Sequence, residues 1–165
     1  MRLRPVEPKD AAAIDAINAL IPEGEYLSLS VKDRNDAADM ISRLTPFDHM
    51  FVFETEDETP EICAIVLLRV NHQIYLRRTS YLRVIVAPKH QGKGFGKILI
   101  DAALKFANDE LMMERVEVEI PTDNIAALKL CKSAGLKVEG IAKDWLRTSD
   151  GRYVDAYLMA RCRSV

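Results

Sequence analysis

A glycine-rich segment between an apolar run and an amphipathic run is the feature that most restricts the fold of this chain. The run from Tyr81 to Val86 is predicted to be a buried strand, and residues 96 to about 109 have the apolar spacing of a helix. Between them, Gly92, Gly94 and Gly96 occupy every second position. Glycines remove side chains from a turn, so that consecutive backbone N–H groups can converge on an anion at the positive end of a helix dipole. The segment therefore predicts a strand, loop and helix unit that binds a phosphate group.

The spacing of the glycines excludes two common phosphate-binding loops. A P-loop has Ser or Thr after its lysine, whereas Lys97 is followed by Ile98. A dinucleotide fingerprint has the pattern G-x-G-x-x-G, whereas the pattern here is G-x-G-x-G. The alternative without a ligand is a solvated turn with basic residues, but such turns rarely join a buried strand directly to an apolar helix.

Length and composition narrow the class of protein. The chain has 165 residues, which is enough for one domain, residues 1–165, with its own core. A formal charge of -2 argues against a nucleic-acid partner. The sequence has neither a membrane-spanning run nor a signal peptide, so we expect no membrane partner and a cytoplasmic location. The widely spaced Cys63, Cys131 and Cys162 predict reduced thiols and no metal site.

Hydrophobic periodicity along the rest of the chain predicts a mixed α/β sheet without internal repeats or linkers. Strands are predicted at residues 2–6, 50–54, 62–70, 81–86, 115–120, 136–141 and 153–161, and helices at 8–20, from Ser30 to Leu44, at 96–109 and at 124–134. Thr122 or Asp123 is predicted to cap the last helix. In the strand at 115–120, alternation places Glu117 and Glu119 on the face opposite to its valines and isoleucine.

Two motifs in this order of elements resemble the GCN5-related N-acetyltransferase (GNAT) family. Val86-x-Pro88, followed by Gln91 and the three spaced glycines, is similar to the family's acetyl-CoA pyrophosphate loop. The segment from Asn124 to Leu136 is similar to the family's N-x-x-A-x-x-L-Y-x-x-x-G-F motif. The resemblance covers essentially the whole chain. It implies an α/β, single-domain GNAT fold, with a mixed, mostly antiparallel sheet of six to seven strands splayed at the acetyl-CoA site and about four helices.

The resemblance implies acetyl-CoA as cosubstrate and a location for each part of it. Backbone N–H groups of the loop would hold the pyrophosphate, with Lys93 or Lys97 adding charge. The pantetheine would pair with the backbone of Ile85 and Val86, so that the Val86 N–H acts as a single-donor oxyanion hole. Asn124 would bind the pantetheine arm or cap its own helix. The implied cofactor-binding residues are Ile85, Val86, Gln91, Gly92, Lys93, Gly94, Phe95, Gly96, Lys97, Asn124, Ala127 and Cys131.

Two catalytic positions of the family differ in this sequence. A base is needed because an amine with a pKa of about 10 is mostly protonated at neutral pH. Members often place a glutamate on the strand before the loop, but residues 79–84 contain none, and Glu119 is the substitute. Its alternative is an ordinary solvated or salt-bridged strand glutamate. The tyrosine that can protonate the departing thiolate is replaced by Cys131, which would be a small packing residue or the acid, unless Tyr153 or Tyr157 takes that role.

The acceptor side of the site is predicted from the loop between the first two helices. In the family this loop commonly forms one wall of the acceptor site, and here it carries Glu25 and Tyr26. An acid can meet an ammonium group and an aromatic ring can cover it, although an ordinary exposed loop is the alternative.

The resemblance implies an acetyl-CoA-dependent N-acetyltransferase that works by direct attack in a ternary complex. The acceptor would be the primary amine of a small molecule, an amino acid or a protein N-terminus, and a homodimer through the last strands is a further expectation. A non-catalytic acyl-CoA-binding or regulatory module and a nucleotide-phosphate binder are the alternatives.

Overall fold

A seven-stranded sheet with helices on both faces forms the core of the computed structural model, which describes residues 1–21, 36–76, 78–147 and 151–163. The order of the strands and helices is the predicted one. The elements are β1 (Arg2–Pro5), α1 (Ala11–Leu20), α2 (Ala37–Ser42), β2 (Asp48–Glu54), β3 (Ile62–Val70), β4 (Thr79–Val86), α3 (Phe95–Asp109), β5 (Arg115–Pro121), α4 (Ile125–Ser133), β6 (Lys137–Arg147) and β7 (Tyr153–Cys162). No helix among the described residues is both long and apolar enough to cross a bilayer.

The strands are arranged in the order β1-β2-β3-β4-β5-β7-β6. Every neighbouring pair is antiparallel except β4 and β5, which are parallel. A parallel neighbour requires a crossover connection, and α3 supplies it between β4 and β5. The expected mixed, mostly antiparallel sheet is therefore confirmed.

The sheet opens between its two parallel strands. Only Thr79, Ser80 and Tyr81 of β4 pair with β5, and the last pair is Tyr81 with Glu117. Beyond it, β4 continues to Val86 while paired with β3, and β5 continues to its end while paired with β7. Each strand is thus held on its outer edge while the two inner edges diverge, which confirms the expected splay.

Two apolar layers hold the helices against the sheet. Alternate residues of β3 face opposite layers, because successive side chains of a strand point to opposite faces. Ala64 and Val66 pack in a layer with α3 and α4, which we call the α3/α4 face. Ile65 and Leu67 pack in a layer with α1, which we call the α1/α2 face. Burial on both sides explains why this strand is apolar at nearly every position.

The second helix begins later than the sequence predicts. Ala37 is its first residue, and the side chain of Asp36 accepts a hydrogen bond from the Asp39 N–H at 2.8 Å. An aspartate in this position satisfies an N–H that the helix itself leaves unpaired. Ser30, the predicted cap, lies outside the described residues.

A buried ion-pair cluster joins β1 to β2 and to the turn before α1. The Arg4 guanidinium donates to both carboxylate oxygens of Asp10, at 2.8 and 2.9 Å, and to Glu54 Oε2 at 2.9 Å. The Asp10 and Glu54 side chains are only 4% and 11% exposed. Hydrogen bonds from Arg4 lower the pKa of both carboxyl groups.

We expect Arg4→Met to lower the free energy of unfolding by about 3 kcal/mol, because it leaves two carboxylates buried without their cation. Arg78→Met is the matched control, since Arg78 and its partner Glu114 are 67% and 53% exposed, and it should change stability by less than about 1 kcal/mol. Urea denaturation measures both effects. Because the folded pKa values are lowered, the cluster stabilises the fold above about pH 4 and loses that effect as the pH falls further. Equal effects of the two substitutions would contradict this role.

Candidate active site

The glycine loop presents a row of unpaired backbone donors. Gly92 and Gly94 have φ angles of 71° and 83°, in the left-handed region that favours glycine. Gly94 is also the N-cap of α3, without a side-chain capping bond. Among the described residues, none accepts a hydrogen bond from the N–H groups of residues 92 to 96. These donors lie at the positive end of α3 and suit a diphosphate.

The other predicted members of the loop have different surroundings. The Gln91 N–H already donates to the Pro88 carbonyl at 3.2 Å, and the Gln91 side chain donates to the Val86 carbonyl at 3.1 Å. Lys97 forms an ion pair with Asp101 one turn along α3. Lys93 is exposed. The Gln91 N–H thus already has an acceptor within the turn, and its role in holding the pyrophosphate stays a prediction.

Gly96 has a packing role that the sequence does not reveal. A Cβ atom at this position would lie 2.8 Å from Leu130 Cδ2 of α4. At Gly92 and Gly94, by contrast, an added Cβ would meet nothing within 4 Å. Gly96 thus leaves room for the Leu130 side chain between α3 and α4, whereas the first two glycines serve the backbone conformation of the loop.

The backbone of β4 directs alternate residues into the opening of the sheet. The Ala87 N–H donates to the Cys63 carbonyl at 2.9 Å, which fixes the phase of hydrogen bonding between β3 and β4. In an antiparallel pair, hydrogen-bonded residues alternate with residues whose N–H and C=O point away. Val84 and Val86 therefore point their backbone groups into the opening, and Ile85 points its own at β3. The expected pairing of a ligand with Ile85 is not supported, whereas Val86 is suitably oriented.

A cavity of about 790 Å³ occupies the opening and reaches the glycine loop. It brings together most of the predicted site residues: Val86, Gln91, Gly92, Gly94, Phe95, Gly96, Lys97, Glu119, Asn124, Ala127 and Cys131. Ile85 and Lys93 do not line it. The lining also includes residues that were not predicted: Leu82, Arg83, Val84, His90, Ile100, Val118, Ile120, Asp123, Ile125, Ala126 and Leu130. The period-2 alternation of β4 and β5 is the signal that could have identified most of the strand residues among them.

The start of α4 forms the second wall of the cavity. Asn124 Oδ1 accepts a hydrogen bond from the Ala127 N–H at 3.0 Å, so Asn124 caps the helix and the predicted caps Thr122 and Asp123 are wrong. Within the described part of the chain the Asn124 amide N–H groups have no acceptor, so they can serve a ligand while the oxygen serves as the cap. Ala127 contributes its methyl group, since its N–H is used by the cap.

Cys131 lies on the inner side of α4 and is only 3% exposed. Burial raises the pKa of its thiol to about 11. The side chain is therefore a neutral, compact group at neutral pH. The two tyrosines that could take its place do not line the cavity: Tyr157 packs against the apolar layer, and Tyr153 is 59% exposed.

Glu119 lies where the sheet has opened, on the face opposite to the glycine loop's helix. Its neighbours Val118 and Ile120 belong to the α3/α4 face, so Glu119 points to the α1/α2 face. The Tyr81 hydroxyl donates to Glu119 Oε2 at 3.2 Å. Burial raises the pKa of Tyr81, which keeps this hydroxyl protonated as a donor. Glu25 and Tyr26, the predicted acceptor residues, lie outside the described part of the chain.

The cavity therefore has two chemically different ends. One end offers backbone N–H donors and a helix N-terminus to an anion. The middle offers the Val86 N–H to a carbonyl oxygen, and the other end offers the Glu119 carboxylate to a proton. Such an arrangement can bind a phosphate-bearing acyl carrier and accept a proton from a group that attacks its acyl carbon.

Comparisons with known proteins agree with this geometry. Residues 14–136 match the family model described as the acetyltransferase (GNAT) family. A spermidine N(1)-acetyltransferase of Vibrio cholerae is 30% identical over 109 residues, which are 65% of this chain and 60% of that protein. An L-amino acid N-acetyltransferase of Escherichia coli is 30% identical over 80 residues, which are 48% of this chain and 49% of that protein. The matches to these two relatives thus span between about half and three fifths of their length.

A solved structure shows the same fold over nearly the whole chain. The spermidine N-acetyltransferase of Vibrio cholerae in complex with CoA and spermine superposes with a TM-score of 0.79. The match covers 98% of this chain and 94% of that one, at 24% sequence identity. The family model, the shared fold and the glycine loop agree with one another. The chain therefore belongs to the GNAT acetyltransferase family.

Proposed function

We propose that this protein is an acetyl-CoA-dependent N-acetyltransferase that acetylates the primary amine of a small molecule by direct attack in a ternary complex. The proposal rests on one observation: a continuous cavity joins the glycine loop to the opening beside Glu119. The relatives named above are acetyltransferases of spermidine and of amino acids, and the solved neighbour holds CoA. Bound acetyl-CoA would supply an activated acetyl thioester.

The chain's own residues divide the binding of the cosubstrate between loop and strand. The unpaired N–H groups of residues 92 to 96 would hold the diphosphate. The backbone of Val84 and Val86 would pair with the pantetheine, as a neighbouring strand would. The Val86 N–H would then donate to the thioester oxygen as negative charge develops on it, and a donor of this kind typically lowers a barrier by about 3 kcal/mol.

Glu119 would act as the base on the acceptor side. Glu119 would first take a proton from the bound ammonium group, and the free amine nitrogen would then attack the thioester carbon. The bond between carbon and sulfur would break, and the second excess proton of the nitrogen would leave with the sulfur, so that the products are the N-acetyl amine and CoA thiol. The hydrogen bond from Tyr81 fixes one oxygen of that carboxylate and leaves the other available. This placement favours an enzyme over a non-catalytic acyl-CoA-binding module, in which nothing requires a carboxylate at this point.

Cys131 is poorly suited to protonate the departing thiolate. Its pKa of about 11 makes it a weaker acid than an ordinary thiol, whose pKa is about 8.5. A thiolate can leave without help from an acid, so the substitution of the family's tyrosine does not by itself remove activity. We assign Cys131 to packing along the cosubstrate channel.

The glycine loop can be tested by comparing two glycines. Gly94→Ala forces alanine into a left-handed conformation that costs about 1–2 kcal/mol, so the loop should shift and the affinity for acetyl-CoA should fall by roughly 10-fold. Gly140→Ala is the control, because an added Cβ there meets nothing within 4 Å and its φ is not in that region. Isothermal titration calorimetry measures both. Unchanged affinity in Gly94→Ala would argue against diphosphate binding by this loop. ATP in place of acetyl-CoA tests the alternative of a nucleotide-phosphate binder.

The base can be tested by a pH profile. We expect Glu119→Gln to lower kcat/KM by roughly 100-fold, while the affinity for acetyl-CoA stays the same. Without a base only the unprotonated amine reacts, so the remaining rate should keep rising toward the amine pKa of about 10. Glu117→Gln is the matched control, because Glu117 lies on the same strand face but is paired with Arg115 before the sheet opens. A wild-type profile in Glu119→Gln would exclude this role.

The state of the cysteines can be tested by alkylation. Relative to an ordinary thiol, a pKa of about 11 lowers the thiolate fraction of Cys131 at neutral pH roughly 300-fold. Cys162 is exposed, so iodoacetamide at pH 7.5 should modify Cys162 first and leave Cys131 largely intact. Peptide mass spectrometry over time measures the order, and acetyl-CoA should protect Cys131 further. Rapid modification of Cys131 would indicate an activated thiol instead.

A further inference from the structure

Arg83 and Glu119 lie opposite each other on the two edges of the opening. The parallel register pairs Tyr81 with Glu117, so the next positions on the same face are Arg83 and Glu119. Ile85, two residues beyond Arg83, packs in the layer of the α1/α2 face, which places Arg83 on that face too. Both side chains line the cavity. The acceptor end of the cavity therefore has a cation on one edge and an anion on the other.

Tyr81 links these two charged side chains. Its hydroxyl donates to Glu119 Oε2 at 3.2 Å. The Arg83 guanidinium carbon lies 5.6 Å from the centre of the Tyr81 ring, within the range of a cation–π contact. These contacts hold the guanidinium beside the base. A guanidinium has five N–H donors, so it can serve several acceptors at once.

The other charged residues of the lining lie outside the two strands: Lys97 is at the start of α3, and Asp123 is in the turn between β5 and α4. Among the described lining residues, Arg83 and Glu119 are thus the charged side chains on the two strand edges that border the opening. An amine that also bears a carboxylate complements both. A polyamine would place further cations near Arg83, and the first residue of a peptide has a neutral amide where the carboxylate would be.

The geometry points to a free amino acid as the acceptor, with its amine at Glu119 and its carboxylate bound by Arg83. Arginine suits this role because its planar fork binds both oxygens of a carboxylate. The inference rests on the proposed acetyl transfer and adds the class of acceptor. Arg83 is then a specificity-determining residue, and its effect depends on the charge of the acceptor.

The test compares amino acids with their carboxamides, which keep the side chain and the amine and lose the carboxylate. Thiol release from acetyl-CoA is measured for a panel of L-amino acids, the matching carboxamides and spermidine. We expect wild-type kcat/KM to be at least roughly 10-fold higher for the best amino acid than for its carboxamide or spermidine. Arg83→Met should raise KM for that amino acid by roughly 10- to 100-fold and leave KM for the carboxamide nearly the same. Arg83→Lys, which keeps the charge, should restore part of the difference.

The outcomes distinguish an error in the acceptor class from an error in the proposed acetyltransferase activity. If carboxamides or spermidine react as well as amino acids in the wild type, the acceptor class is wrong while the acetyltransferase activity stands. If Arg83→Met changes KM for the amino acid and KM for the carboxamide equally, Arg83 does not bind the carboxylate. If acetyl-CoA binds but no amine of the panel releases thiol, the proposed function itself fails. Thermal stabilisation by acetyl-CoA shows that each variant is folded.

Discussion

The divergence of β4 and β5 is the constraint on which the rest of the site depends. A backbone N–H or C=O within a sheet needs a partner, and these two strands stop pairing after Tyr81 and Glu117. Each strand is paired on its outer edge, β4 with β3 and β5 with β7. The opening therefore presents unpaired inner edges, with backbone groups that an extended ligand can satisfy.

The burial of α3 directs the phosphate-binding end of the site at this opening. Leu99, Ile100, Ala103 and Leu104 are buried against the sheet, so the axis of the helix cannot turn freely. Gly96 leaves room for the Leu130 side chain of α4, which lines the second wall of the cavity. The position of the proposed anion site thus follows from core packing, whereas its donors come from the loop. This division explains why a short glycine pattern is informative only beside an apolar strand and an apolar helix.

The sequence predicts the order of elements and the loop because these depend on local periodicity and on motifs, whereas the opening of the sheet is expected only from the family resemblance that those motifs carry. It predicts less well where the outcome depends on the phase of hydrogen bonding between strands. Ile85 and Val86 are both β-branched apolar residues, so residue type does not distinguish them. The hydrogen bond from the Ala87 N–H to the Cys63 carbonyl decides which of the two points its backbone groups into the opening. Asn124 prevails over Thr122 and Asp123 as the cap because the helix begins at Ile125. Such choices depend on single hydrogen bonds.

Strand β4 serves both parts of the proposed site, because its backbone groups and its side chains point in different directions. The backbone groups of Val84 and Val86 face the opening, whereas the side chains of Tyr81 and Arg83 project to the acceptor face. In the proposed site, cosubstrate contacts would therefore depend on main-chain atoms, which substitutions leave in place. Acceptor contacts would depend on side chains, which substitutions change. A change from Arg83 to an acidic residue would then reverse the charge at the acceptor end without altering the backbone proposed to receive the thioester.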